Sequence, residues 1–92
     1  MNLFFNELKP SSGKVVDLRE LMGSIKEMFY YLLERDGYYS IKIELLIDQE
    51  VPHNLICDKQ RLKQIIVNLI QNAILMTSPN NGIIEIAVLY DA

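Results

Sequence analysis

Asp58-Lys59-Gln60-Arg61-Leu62-Lys63-Gln64-Ile65-Ile66-Val67-Asn68-Leu69-Ile70-Gln71-Asn72-Ala73-Ile74 is the stretch on which the reading of this chain turns. Leu62, Ile65, Ile66, Leu69, Ile70 and Ala73 recur at helical spacing and make one continuous apolar stripe. Asp58 stands just ahead of them. A carboxylate there accepts from the free N–H groups of a first turn and meets the positive end of the helix dipole. The polar residues are as ordered as the apolar ones. Gln64, Asn68 and Asn72 lie four apart and share one face, and Arg61 begins that row. Asn is a poor helix former because its side chain competes for the backbone. Two Asn in a helix middle cost about 1 kcal/mol together relative to Ala. A carboxamide offers a neutral hard oxygen acceptable to Mg²⁺ and N–H donors for phosphate oxygens. A plain solvated face explains the same spacing, so the spacing alone leaves both readings open.

Outward from this helix the chain divides into short elements. Ser78-Pro79-Asn80-Asn81-Gly82 breaks the helix and turns the chain. Residues 83–90 then alternate as a last strand, with Ile84, Ile86, Val88 and Tyr90 on one face. On the other side, Pro52 to Cys57 reads as a short extended stretch and Asp48-Gln49-Glu50 as a turn. Residues 40–47 alternate, with Ile41, Ile43, Leu45 and Ile47 against Lys42, Glu44 and Leu46, which predicts a strand with one buried face. A first long helix precedes it. Leu18, Leu21, Met22, Ile25, Met28, Phe29, Leu32 and Leu33 make its stripe, Asp17 and Glu20 a capping-box-like start, and Gly37 its close. Lys14 to Asp17 is a short extended piece, behind a linker at Ser11-Ser12-Gly13. Residues 1–9 read as the end of a helix stopped by Pro10. The expected architecture is an α+β two-layer sandwich, with two helices packed on one face of a sheet of three or four strands.

Composition narrows the function classes. The chain has 92 residues, enough for one small domain, with 50% hydrophobic and 23% charged residues, which is a globular balance. A net charge of -3 gives no basic field to draw in a nucleic-acid backbone, so no nucleic-acid partner is expected. One cysteine excludes an internal disulfide, and one histidine excludes a multi-histidine metal site. No apolar run approaches the roughly 20 residues that cross a bilayer, and no signal peptide opens the chain. With a lone thiol, this predicts a reducing, cytoplasmic setting.

The string from Asp58 to Ala73 resembles the N-box of sensor histidine kinases, D-x-x-R-L-x-Q-[ILV]-[ILV]-x-N-L-[ILV]-x-N-A, at every fixed position. The resemblance continues to Thr77 and Gly82, and back through Ser12-Gly13-Lys14 and Val16-Asp17-Leu18, covering about residues 12–90. It implies the N-terminal part of a GHKL-type ATP-binding domain of Bergerat fold over 13–92, with the N-box at 58–77. Residues 1–12 would then be a remnant of the preceding dimerisation helix and its linker. Carried over by position, Asn72 would be the Mg²⁺ ligand bridging the triphosphate of ATP, and Asn68 would line the phosphate side of the pocket. Hydrolysing relatives commonly carry a water-activating Glu where this chain has Asn68, which favours phosphoryl transfer to a protein histidine over hydrolysis. The partners implied for the parent protein are a dimerisation and phosphoacceptor domain and a response regulator, in a phosphorelay. The parent is expected to be cytoplasmic or the cytoplasmic part of a membrane-bound protein.

The chain also departs from the family. Leu75 stands where a phosphate-reaching Lys or Arg is usual, and Met76 where an aromatic is usual. No Asp-x-Gly-x-Gly box follows, so the adenine-reading Asp and the lid are not in this sequence, and no phosphoacceptor His box is present. These departures imply that the chain alone is inactive, with no catalytic residue of its own. They also keep a second reading open, a non-catalytic interaction module of kinase-like fold. Of the remaining residues, His53 is expected at the surface or half-buried, and Cys57 as a small buried apolar residue. A Cys57–His53 dyad is disfavoured because four residues of strand span about 13 Å. Tyr30, Tyr31, Tyr38 and Tyr39 cluster near the end of the first helix, as core and boundary packing or as an aromatic interface.

Overall fold

Alternating branched residues build the strands, and a computed structural model shows how they pair. It describes residues 2–5, 13–38, 40–77 and 82–91. The elements run β1 (Asn2–Phe4), β2 (Lys14–Asp17), α1 (Leu18–Arg35), β3 (Ile41–Ile47), β4 (Asn54–Cys57), α2 (Lys59–Met76) and β5 (Gly82–Leu89). They form two sheets, where the sequence pattern suggested one mixed sheet of three or four strands. β1, β5 and β3 lie in that order and are parallel throughout. β2 and β4 make a separate antiparallel ribbon, Lys14 opposite Cys57 and Asp17 opposite Asn54. Parallel neighbours need a long crossover, and α2 lies in the one from β3 to β5.

Both helices contribute to one core on one face of the larger sheet. Leu18, Leu21, Met22, Ile25, Phe29 and Leu33 of α1 are buried, with Leu62, Ile66 and Ile70 of α2. They join Ile41 and Ile43 of β3 and Ile84, Ile86 and Val88 of β5 in a single cluster. Ile43 stands beside Ile84, and Leu45 beside Ile86, so the inward residues of the two strands share a face. The α2 stripe is narrower than the spacing suggested. Leu69 and Ala73 are only half-buried, and Ile65 is 39% exposed, because it sits on the flank of the arc centred on Ile66. On α1, Leu33 rather than Leu32 is the buried member of the last turn.

The helix ends follow from their residues. Asp17 caps α1, its carboxylate accepting from the Glu20 N–H at 3.2 Å. Gly37, at φ +85°, lets the chain reverse after Asp36. The Tyr38 N–H then donates to the Leu33 carbonyl at 2.8 Å and the Gly37 N–H to the Glu34 carbonyl at 3.1 Å, a Schellman closure. Asp58 caps α2 as expected, accepting from the Gln60 and Arg61 N–H groups at 3.1 and 3.3 Å. Gly13, at φ +131°, lies so close to the β4–α2 junction that a Cβ would overlap the Cys57 carbonyl and the Asp58 amide. The entry to β2 is thereby held tight against the start of α2.

The N-terminus corrects one expectation. Asn2–Phe4 is a strand, not the end of a helix. Leu3 is buried beside Val88, while Asn2 and Phe4 face outward. A ready partner in β5 decides the matter, since three residues carry little helix preference of their own. Phe5 follows and stacks on Tyr90 with ring centroids 5.8 Å apart. The linker at Ser11-Ser12, Pro10, Tyr39 and the turn at 78–81 lie outside the described residues.

Candidate functional site

The polar row of α2 is where the sequence placed the chemistry. Burial of Leu62, Ile66 and Ile70 turns the opposite side of the helix to solvent. Arg61, Gln64, Asn68 and Asn72 are all exposed there. Asn68 and Asn72 share that side one turn apart, and among the described residues neither carboxamide is hydrogen-bonded. Both are therefore exposed carboxamides at positions where Asn weakens the helix. Leu75 and Met76 are 84% and 89% exposed beyond them. Leu75 stands about two turns past Asn68 on the same side. The helix ends with the Thr77 hydroxyl donating to the Ala73 carbonyl at 2.6 Å.

Among the described residues no three His, Cys, Asp or Glu side chains gather to hold a metal ion. A Mg²⁺ ion here would have no protein cage. Asn72 can supply one neutral oxygen, which suits an ion that keeps its waters and takes its other ligands from phosphates.

A cavity of about 420 Å³ lies elsewhere, lined by Val15, Val16, Asp17, Glu20, Leu21, Ser24, Asn54 and Lys59. Lys59 opens α2, so this cavity sits at the other end of the helix from Asn72, about 20 Å along its axis. Neither Asn68 nor Asn72 lines it.

His53 is exposed and Cys57 is 1% exposed on β4. Burial, with the Asp58 carboxylate next to it, pushes the Cys57 thiol above its ordinary pKa, which disfavours the thiolate. Tyr30, Tyr31 and Tyr38 are all partly exposed rather than core residues.

Sequence reasoning missed Arg19. It reads as a solvated charge on α1, yet its guanidinium donates to the carbonyls of Asp48, Val51 and Pro52 at 3.2, 3.1 and 3.4 Å. The Asp48 carboxylate in turn accepts from the Tyr90 N–H at 2.9 Å. The one available signal was a cation in the first turn of a helix, against the dipole, which implies a compensating partner.

Compared with known proteins, the chain matches no family model, no curated protein and no solved structure. Among the described residues no helix is long and apolar enough to cross a membrane.

Proposed function

We propose that this chain is the N-box part of a sensor histidine kinase ATP-binding domain, with Asn72 contributing an oxygen to a Mg²⁺ held on ATP and Asn68 facing its phosphates. One observation carries the reading: two exposed carboxamides, one turn apart, on the solvent side of a helix whose other side is core. The Asp58 cap and the N-box string supply its context. In the parent protein the bound nucleotide would supply the phosphoryl group for a histidine of the phosphoacceptor domain. Asn68 cannot act as a base, so in this chain the row's role is to bind and orient.

The grip of this chain on the nucleotide is weak. Leu75 replaces a cation whose charge-assisted bond would be worth about 1.5–3 kcal/mol, ten- to a hundredfold in affinity. The 92 residues also contain no adenine-reading Asp-x-Gly-x-Gly box. Calorimetric titration with a non-hydrolysable ATP analogue and Mg²⁺ is the test. The expected result is binding weaker than about 100 μM, reduced further by Asn72→Ala, with no turnover of ATP. Low-micromolar binding abolished by Asn72→Ala would show a complete pocket. Binding indifferent to Asn72 would remove the nucleotide reading.

That last outcome favours the second reading, an interaction module that has lost its nucleotide. The exposure of Leu75 and Met76 at the end of the row supports it, since such side chains in solvent suit a protein contact.

A further inference from the structure

The edge of β3 that pairs with no strand among the described residues carries an inference that does not depend on the nucleotide reading. β3 is an end strand of the three-stranded sheet, and Ile43 turns both its backbone groups away from β5. The Tyr30 hydroxyl, reaching over from α1, meets them there. It accepts from the Ile43 N–H at 2.9 Å and donates to the Ile43 carbonyl at 3.3 Å. Its ring lies under the Lys26 ammonium, 5.8 Å from the centroid. On the same edge the Ile41 N–H donates to the Tyr38 carbonyl at 3.4 Å. One phenol thus stands where the backbone of a neighbouring strand would stand, on an edge seven residues long. Edges of that length attract another strand unless they are guarded.

We propose that this edge is a self-association surface: a second copy of the chain adds its β3 antiparallel, centred on Ile43, and the Tyr30 hydroxyl is the latch that swings away to admit it. The register follows from the residues. By alternation Ile41, Ile43 and Leu45 all present their N–H and C=O groups to the open edge. Facing residues at alternate positions of an antiparallel ladder exchange both bonds, and those between them do not. Centring on Ile43 sets Ile43 opposite its own counterpart and Ile41 opposite Leu45, all on the face that carries the core. On the exposed face it sets Lys42 opposite Glu44 of the second copy, and Glu44 opposite Lys42. These are the closely spaced positions of the ladder, where side chains meet most directly. Centring on Glu44 would set Glu44 against Glu44, and centring on Lys42 would set Lys42 against Lys42. Opposite charges therefore select one register and like charges oppose its neighbours.

The test uses the full chain in sedimentation equilibrium. Tyr30→Phe removes the latch bonds and is expected to tighten self-association at least tenfold relative to the unaltered chain. In the Tyr30→Phe chain, Lys42→Glu and Glu44→Lys each place like charges across the two-fold axis and each return the protein to monomer. When these two variants are mixed in equal amounts, both carboxylates of the first meet both ammonium groups of the second, and the dimer returns. Both positions are exposed, so the variants keep the far-UV spectrum of the parent. Where Tyr30→Phe fails to fold, the same pair of charge variants and their mixture are compared with the unaltered Tyr30 chain at higher concentration. Single charge variants that associate as well as their parent, or a mixture that stays monomeric, overturn the proposal. A Tyr30→Phe chain that folds and stays monomeric overturns it as well, and leaves the edge to a strand of another protein.

Discussion

Cys57 is 1% exposed, with its neighbour Asp58 held at the start of α2, and both features disfavour a thiolate. Its pKa is therefore higher in the folded chain than in the unfolded one. Well below the unfolded value, about 9.0, the thiol is protonated in both states and has no effect. Above it the unfolded chain loses the proton first, so stability falls as pH rises, at up to about 1.4 kcal/mol per pH unit until the folded thiol titrates. Urea unfolding at intervals between about pH 7 and 9.5 is expected to show this fall, and Cys57→Ala is expected to flatten it. Equal slopes in the two proteins would assign the effect to other groups. Burial at Cys57 was legible in the sequence, from a small apolar type in a short extended stretch. The threefold grip of Arg19 was not, because its acceptors are backbone carbonyls some thirty residues away, and carbonyls carry no residue identity.

α2 shows how far a single element can be read. Its cap, its length and its buried line of Leu62, Ile66 and Ile70 follow from spacing alone. The width of its apolar face does not, because that is set by what packs on either flank, and Ile65 finds solvent there. The exposed state of Asn68 and Asn72 follows from the same periodicity, while the use of those carboxamides rests on the resemblance. Stability offers an independent measure of the row. Neither side chain makes a described hydrogen bond, so replacing both by Ala removes only the helix penalty. Asn68→Ala with Asn72→Ala is expected to raise the unfolding free energy by about 1 kcal/mol, seen as a higher urea midpoint at unchanged slope. A lower midpoint would mean that the carboxamides hold the fold together and would weaken the case for keeping them for a ligand.

At the scale of the molecule, the local reading found both described helices and all but one of the described strands, and missed how the strands associate. Alternation in residues 40–47 and 83–90 announces strands but not that they run parallel, nor that β2 and β4 leave to form their own ribbon. Partner choice is a property of the assembled core. β1 is the clearest case, being too short to show a period and fixed by Val88 and Leu89 from the far end of the sequence. Leu3 tests it. Leu3→Ala is expected to cost about 2–3 kcal/mol in denaturant unfolding, as emptying a buried leucine site does. A change under about 0.5 kcal/mol would mean that the first residues are an appendage to the fold rather than a strand of it.

The parallel arrangement also sets a timetable. As the chain leaves the ribosome, β2, α1, β3 and β4 are all made before α2, and the ribbon of β2 with β4 is the first pairing that can close. β3 has no partner until β5 emerges, and β1 waits for it longest of all. Through that interval the apolar side of β3 depends on the helices alone for shelter. The nascent protein is then exposed to holdase chaperones and to aggregation with its neighbours on the same message, before the eight residues of β5 arrive.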